Sequence, residues 1–192
     1  GDASVADLNG DGRPDLFVLN MQGHGHYFEN TGGRTFADKT TQYFPRTPWG
    51  AMGLKFFDFD NDGRPDLFIT DMHSDMFETL PPDREKTKAP VHPPDQILGG
   101  PADTFIFGNA LFHNTGGGKF EEISDRAGAE NYWPWGPSVG DVNADGWDDI
   151  FVASSMNYPH RYGINSMLLN DKGEKFRDAE FVLGIEPRAG GR

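Results

Sequence analysis

The sequence predicts an all-β fold of β-propeller blades: about three four-stranded blades, each with an acidic loop between its first and second strands. Three observations carry this. One acidic nonapeptide pattern recurs three times in 192 residues. Four strand-like segments surround each copy in units of about 50 residues, the pattern of a propeller blade. The variation in unit length falls within a single connection.

The units read in order. Ser4-Val5-Ala6, Leu54-Lys55-Phe56-Phe57 and Pro137-Ser138-Val139-Gly140 are first strands. The acidic loops follow. Second strands are Leu16-Phe17-Val18-Leu19, Leu67-Phe68-Ile69-Thr70 and Ile150-Phe151-Val152-Ala153. Their near-continuous apolar and β-branched character suits strands covered on both faces. Third strands are His26-Tyr27-Phe28-Glu29, Ala110-Leu111-Phe112-His113 and Ser166-Met167-Leu168-Leu169. Each runs into a turn of hairpin type, opened by Asn30, Asn114 or Asn170. Phe36, Phe120 and Phe176 mark the fourth strands. The blades are expected at 1–48, 49–132 and 133–192, the last with a lead-in to a further blade. Three blades cannot close a ring, so the chain reads as a mature piece or a fragment of something longer.

The hairpin asparagine lies 28 and 27 residues before the next loop (Asn30 to Asp58, Asn114 to Asp141). From the last loop aspartate to the hairpin asparagine the spacing is 15, 48 and 21 residues. The second blade therefore carries an insertion of about 33 residues near Met72 to Phe105. Its six prolines argue against regular sheet and for a long surface excursion, with a short helical turn near Pro82 to Lys88.

The loops carry the chemistry. They read Asp7-x-Asn9-x-Asp11-Gly12-x-x-Asp15, Asp58-x-Asp60-x-Asp62-Gly63-x-x-Asp66 and Asp141-x-Asn143-x-Asp145-Gly146-x-x-Asp149. Oxygen side chains at positions 1, 3, 5 and 9, with glycine at 6, let a short loop wrap a hard cation. The backbone carbonyl at position 7 (Arg13, Arg64 or Trp147) adds a further ligand. A plain turn needs one or two such residues, not four in three copies. An EF-hand needs a glutamate at position 12 and flanking helices. Position 12 is Val18, Ile69 and Val152 here, so these are calcium loops between strands. The position-9 carboxylate is expected to complete the shell, and the Arg13 and Arg64 side chains to point to solvent.

The net charge is −13, and ten carboxylates sit in the loops. Three Ca²⁺ ions would bring it to about −7. Without a Lys/Arg cluster the chain is no nucleic-acid binder. With no cysteine it has no disulfide or thiolate chemistry. No apolar run reaches the ~20 residues of a membrane span.

The blade face away from the loops gathers His24, His26, His73, His92 and His160, Tyr158 and Tyr162, and Trp49, Trp133 and Trp135. Trp49 and Trp135 share a Pro-Trp-Gly context and read as equivalent packing residues. Trp133, Tyr158, His160, His24 and His73 are the candidates for contact with a partner, on the ground that aromatic residues and loops on rigid scaffolds carry binding. His24-Gly25-His26 offers imidazoles to a transition metal but has no carboxylate in register. No serine sits in a nucleophile elbow, and Asp148 reads as a solvated neighbour rather than a general acid.

These residues resemble the FG-GAP/VCBS repeat family, the calcium-loop blades of integrin α-subunits and of many exported bacterial proteins. The wording Asp-Gly-Arg-Pro-Asp-Leu-Phe, Phe-x-Asn-Thr-Gly-Gly and Phe-x-Asp-x-Thr is most similar to bacterial proteins akin to cartilage acidic protein, often with an ASPIC/UnbV tail. The resemblance implies a seven-bladed propeller, about three Ca²⁺ ions in this chain, and an extracellular or periplasmic place. The expected role is a non-enzymatic module for protein–protein interaction or adhesion, with a protein partner or the remaining blades of a longer chain. A glycan-binding face is the alternative, with a polysaccharide lyase or hydrolase behind it. Removing residues 74–103 is expected to leave the blades folded and abolish partner association.

Overall fold

Three four-stranded antiparallel sheets organise the chain, in a computed structural model that describes residues 1–72, 87–88, 92–154, 156–157 and 161–186. The first is β1 (Ala3–Ala6), β2 (Asp15–Val18), β3 (His26–Gly32) and β4 (Thr35–Asp38), paired in sequence order. A helical turn α1 (Thr40–Tyr43) and the short β5 (Thr47–Pro48) lead into β6 (Ala51–Phe57) and β7 (Asp66–Asp71). α2 (Asp95–Leu98) and β8 (Phe105–Ile106) precede β9 (Ala110–Gly116) and β10 (Lys119–Glu122), which complete the second sheet. After α3 (Ser124–Ala127), β11 (Pro134–Gly140) and β12 (Asp149–Ser154) open the third sheet. The ribbon β13 (Met156–Asn157) and β14 (Arg161–Tyr162) follows, and β15 (Ser166–Asn170) and β16 (Phe176–Asp178) close the sheet. The fold is all-β, a partial propeller.

Register explains why the loops look alike. Ala6 pairs with Asp15, Phe57 with Asp66 and Gly140 with Asp149. Each acidic loop is thus a hairpin closed between the last residue of the first strand and its own ninth residue. The middle strand of the array, β7, is buried at all six positions. Leu67 and Ile69 face a core with Phe17, Phe44, Leu54 and Phe112, whereas Phe68 faces one with Leu111, Ile150, Val152 and Phe176. Alternate residues of one strand therefore glue the second sheet to both neighbours, each large side chain contributing about 1.5–3 kcal/mol. The fourth-strand phenylalanines follow the same logic. Phe120 stacks on Phe44 of the blade before it, and Phe176 on Phe59. Phe36 has no earlier sheet to meet in this chain and is exposed.

The insertion departs from the sequence expectation. Its described later half is not a loose excursion. Leu98 and Phe105 form a small core with Trp49, and β8 pairs in parallel with β5. The two-residue ladder escapes the proline argument because Phe105 and Ile106 lie beyond the last proline, Pro101. Lys88 is driven back into the second blade, where Nζ donates to Asn109 O and to Glu130. Burial pulls Lys88 down, but Glu130, Glu122 and Asp125 outweigh it and hold its pKa above the usual value. Burial also pushes the Glu130 carboxyl up to about 7 against the pull of Lys88. Most of the expected helical turn at 82–88 lies outside the described residues. Excising 74–103 would remove Lys88 and Leu98 and so damage the blade itself.

The tryptophans are also placed differently. Ala51 and Pro134 open β6 and β11 opposite Asp71 and Ser154, and both ladders then shift by one residue. Trp135 is therefore the counterpart of Met52, and Trp49 that of Tyr132. The shared Pro-Trp-Gly wording is out of register by three residues. Trp49 is 1% exposed, with Nε1 donating to Leu98 O at 3.1 Å; Trp135 is 43% exposed.

Candidate metal centres

All three acidic loops build the same cradle. The position-1 carboxylate bends over the turn. Asp7 accepts from Gly10 N, Asp11 N and Gly12 N at 2.7–3.0 Å. Asp58 accepts from Asp62 N and Gly63 N, and Asp141 from Asp145 N and Gly146 N, at 2.8–3.0 Å. The position-5 carboxylates take the position-7 amide: Asp11 from Arg13, Asp62 from Arg64, Asp145 from Trp147. Gly12, Gly63 and Gly146 sit at φ of +82° to +89°, where a Cβ is strained. Position 4 is left-handed as well (Gly10, Asn61 and Ala144), a demand that the varied residues there conceal in sequence.

Position 9 is the buried anchor. Asp15, Asp66 and Asp149 are each 1% exposed. One oxygen accepts the amide of loop position 2 (Leu8, Phe59 or Val142) at 2.7–3.1 Å. The other accepts the amide of the hairpin asparagine (Asn30, Asn114 or Asn170) at 2.7–2.8 Å. Tyr27 adds its hydroxyl to Asp15 at 2.7 Å. Burial pushes the Asp66 carboxyl up to about 6, even though its two amide partners pull it down.

The hairpin asparagines matter more than turn formers. Asn114 Nδ2 donates to Pro65 O in its own blade and to Leu8 O in the loop of the blade before, at 3.1 and 3.2 Å. Asn170 Nδ2 does the same with Asp148 O and Phe59 O, at 3.1 and 2.9 Å. Each of these two asparagines clasps two blades beside an acidic loop. The only sequence trace of this is the asparagine at the same point of three hairpins.

The arginine side chains stay exposed, at 44% and 42%, but fold back over their own loops. Arg13 Nε donates to Asn30 O at 2.7 Å and Arg64 Nε to Asn114 O at 2.8 Å, while each guanidinium also meets Asp11 or Asp62. The excess negative charge of each loop draws the cation back across the hairpin.

The second loop differs from its siblings at position 3. Asn9 and Asn143 fold into their loops, each accepting from the position-5 amide and donating to the position-5 carboxylate. Asp60 has no amide to donate. Its Oδ2 lies 3.1 Å from His113 Nε2, and its Oδ1 is buried with no hydrogen-bond partner. Donor atoms of Asp58, Asp60 and Asp66 converge within 4.8 Å of one another, as do those of Asp60, Asp62 and His113. These groups could hold metal ions. Around the third loop, burial and the charges of Asp141, Asp149 and Asp58 push Asp148 up; it is half-buried rather than a solvated neighbour.

On the opposite face the structure brings few of the candidates together. Trp133 is buried, 9% exposed. His24 is stacked on Phe105 at 4.2 Å between Thr47 and Thr104, and burial lowers its pKa. His26 Nδ1 stands 3.1 Å from Asp38, so a carboxylate is in register with the histidine pair, contrary to the sequence reading. The pair with Asp38 lines a hollow of about 200 Å³. His73, Tyr158 and His160 lie outside the described residues. His92 stacks on Phe107. Among the described residues no helix is long and apolar enough to cross a membrane.

No curated protein matches the chain. A family model described as "FG-GAP-like repeat" matches residues 7–69 and 94–152, more than half of the chain. The first match begins at Asp7 and takes in the first two acidic loops; the second takes in the third, and the break between them falls largely on the insertion. With the blades, the loops and this match in agreement, the chain belongs to the FG-GAP-like repeat family.

Proposed function

We propose that the chain is a calcium-stabilised blade module of an exported protein, acting in protein–protein interaction and not in catalysis. The observation that supports this best is the threefold cradle, in which ten carboxylates crowd into loops whose backbone amides are already committed. Such charge repels itself, and divalent cations with oxygen preference relieve it. Asp58, Asp60, Asp62 and Asp66, with the Arg64 carbonyl, would hold the ion of the second loop. Asp7, Asn9, Asp11, Asp15 and the Arg13 carbonyl would serve in the first, and Asp141, Asn143, Asp145, Asp149 and the Trp147 carbonyl in the third. Affinities near ~10⁻⁴–10⁻³ M suit an extracellular or periplasmic setting. The ion's role here is structural: it holds the turn between two strands.

A protein partner fits better than a glycan. Trp49 and Trp135 fall out of register, and Trp49 and Trp133 are buried, so the described residues of this face offer no repeated aromatic platform for a sugar. The insertion, unique to one blade, offers a nonrepeated surface to a nonrepeated partner. Thermal melting in millimolar Ca²⁺ and in chelator is the test. A melt raised by Ca²⁺ supports the reading, and a melt indifferent to chelator overturns it. Removing 74–86 alone, which spares Lys88 and Leu98, is expected to reduce capture of the native partner with the melt unchanged.

A further inference from the structure

We propose that Asp60, Asp62 and His113 form a site for a transition-metal dication of the Zn²⁺ type, beside the second acidic loop. The site borrows two carboxylates from a loop read above as calcium-binding, so its setting rests on that reading, although its donors do not.

The case starts from a difference between repeats. The residue before the hairpin asparagine is Glu29 in the first blade and Leu169 in the third, but His113 in the second. The same blade alone has aspartate, not asparagine, at loop position 3. The fold brings these two departures together. His113 Nε2 lies 3.1 Å from Asp60 Oδ2 and 3.9 Å from Asp62 Oδ2. A tetrahedral ion with bonds of 2.0–2.2 Å separates its ligands by about 3.4 Å, between those two distances.

Hydrogen bonding does not account for the arrangement. His113 Nε2 and Asp60 Oδ1 are both buried, and neither has a hydrogen-bond partner among the described residues. The imidazole approaches the carboxylate without the alignment of a hydrogen bond. A buried polar atom left so is costly, and cations on the two sides of Asp60 would remove the cost at each. Asp60 belongs to both converging groups, so its two oxygens can serve the loop on one side and His113 on the other.

The donor set selects the ion. Calcium takes oxygen ligands, whereas imidazole suits zinc and its neighbours. Arg64 meets the same Asp62 oxygen, but its Nε bond to Asn114 O keeps it anchored when an ion takes that oxygen.

The test titrates the whole chain, in excess Ca²⁺, with Zn²⁺ by calorimetry and with Co²⁺ by visible absorption. One Zn²⁺ site is expected in the wild type. His113→Leu, which installs the residue type of the third blade, is expected to weaken it at least tenfold and to remove the nitrogen-ligand signature from the Co²⁺ spectrum. Asp60→Asn installs the residue type of both sibling loops and is expected to weaken Zn²⁺ at least tenfold while the fold is kept. No Zn²⁺ binding by the wild type, or equal binding by folded His113→Leu, overturns the proposal. Should His113→Leu fail to fold, unchanged Zn²⁺ affinity in Asp60→Asn overturns it instead. Repeating the titration without Ca²⁺ separates the two readings. A melt insensitive to Ca²⁺ with the zinc site intact removes only the calcium claim; a calcium-dependent melt with Zn²⁺ indifferent to His113→Leu removes only this one.

Discussion

The first and third acidic loops satisfy their third residue internally, and the second sends it outward. Asn9 and Asn143 each bond within their own loop, whereas Asp60 turns to His113. The backbone cradle is otherwise alike in all three. A repeat thus preserves the bonds of positions 1, 5 and 9 that shape the turn and can give up the internal bonds of position 3. That position is where a blade acquires chemistry of its own.

The largest expected effect probes the shared part of this comparison. Asp15→Ala strips an acceptor from Leu8 N, Asn30 N and the Tyr27 hydroxyl, and is expected to cost about 3–4 kcal/mol in urea unfolding in chelator, and more in calcium, where a ligand of the proposed ion is lost as well. Asp66→Asn is expected to cost clearly less than Asp15→Asn without metal, because burial already disfavours the Asp66 charge. Equal costs would mean that the loops do not differ in their electrostatics.

The clasps give the next effect. Asn114→Ala breaks an Nδ2 bond to its own blade and one to the blade before, while Asn30 Nδ2 donates, among the described residues, to Pro14 O of its own blade alone. Asn114→Ala is expected to exceed Asn30→Ala by about 1 kcal/mol in the same unfolding assay.

Glu130 sharpens the contrast between the second blade and its neighbours through pH. Its folded pKa, about 7, lies above the ordinary 4.5, so the folded state binds more protons than the unfolded between those values. Stability from this group is fully present below about 4.5 and falls as pH rises towards 7. Glu130→Gln is expected to flatten that part of the stability–pH curve.

The smallest effect belongs to the arginines. Arg64→Ala removes an ion pair that solvent reaches, and is expected to change stability by under about 1 kcal/mol, most visibly at low salt.

The blades were legible because their signals are local and repeated: Asp at 1, 5 and 9, glycine at 6, and near-continuous apolarity in Leu67-Phe68-Ile69. Much of the rest depends on residues distant in sequence. His113 meets Asp60 across 53 positions. Lys88 reaches Glu130 from an insertion whose prolines pointed to an exposed strap. Trp49 and Trp135 misled because wording was compared without register; the strand pairing sets them three residues apart. Tyr27 was read only as a strand residue, although its hydroxyl completes Asp15.

The clasping asparagines also give the array a direction. Asn114 reaches back to Leu8, and Asn170 back to Phe59, in each case to a residue seated inside the preceding loop. The shape of one turn therefore fixes the acceptor on which the next blade's outer hairpin hangs. Both acceptors are backbone carbonyls at the second loop position, so the handhold is set by the shape of the turn and not by its side chain.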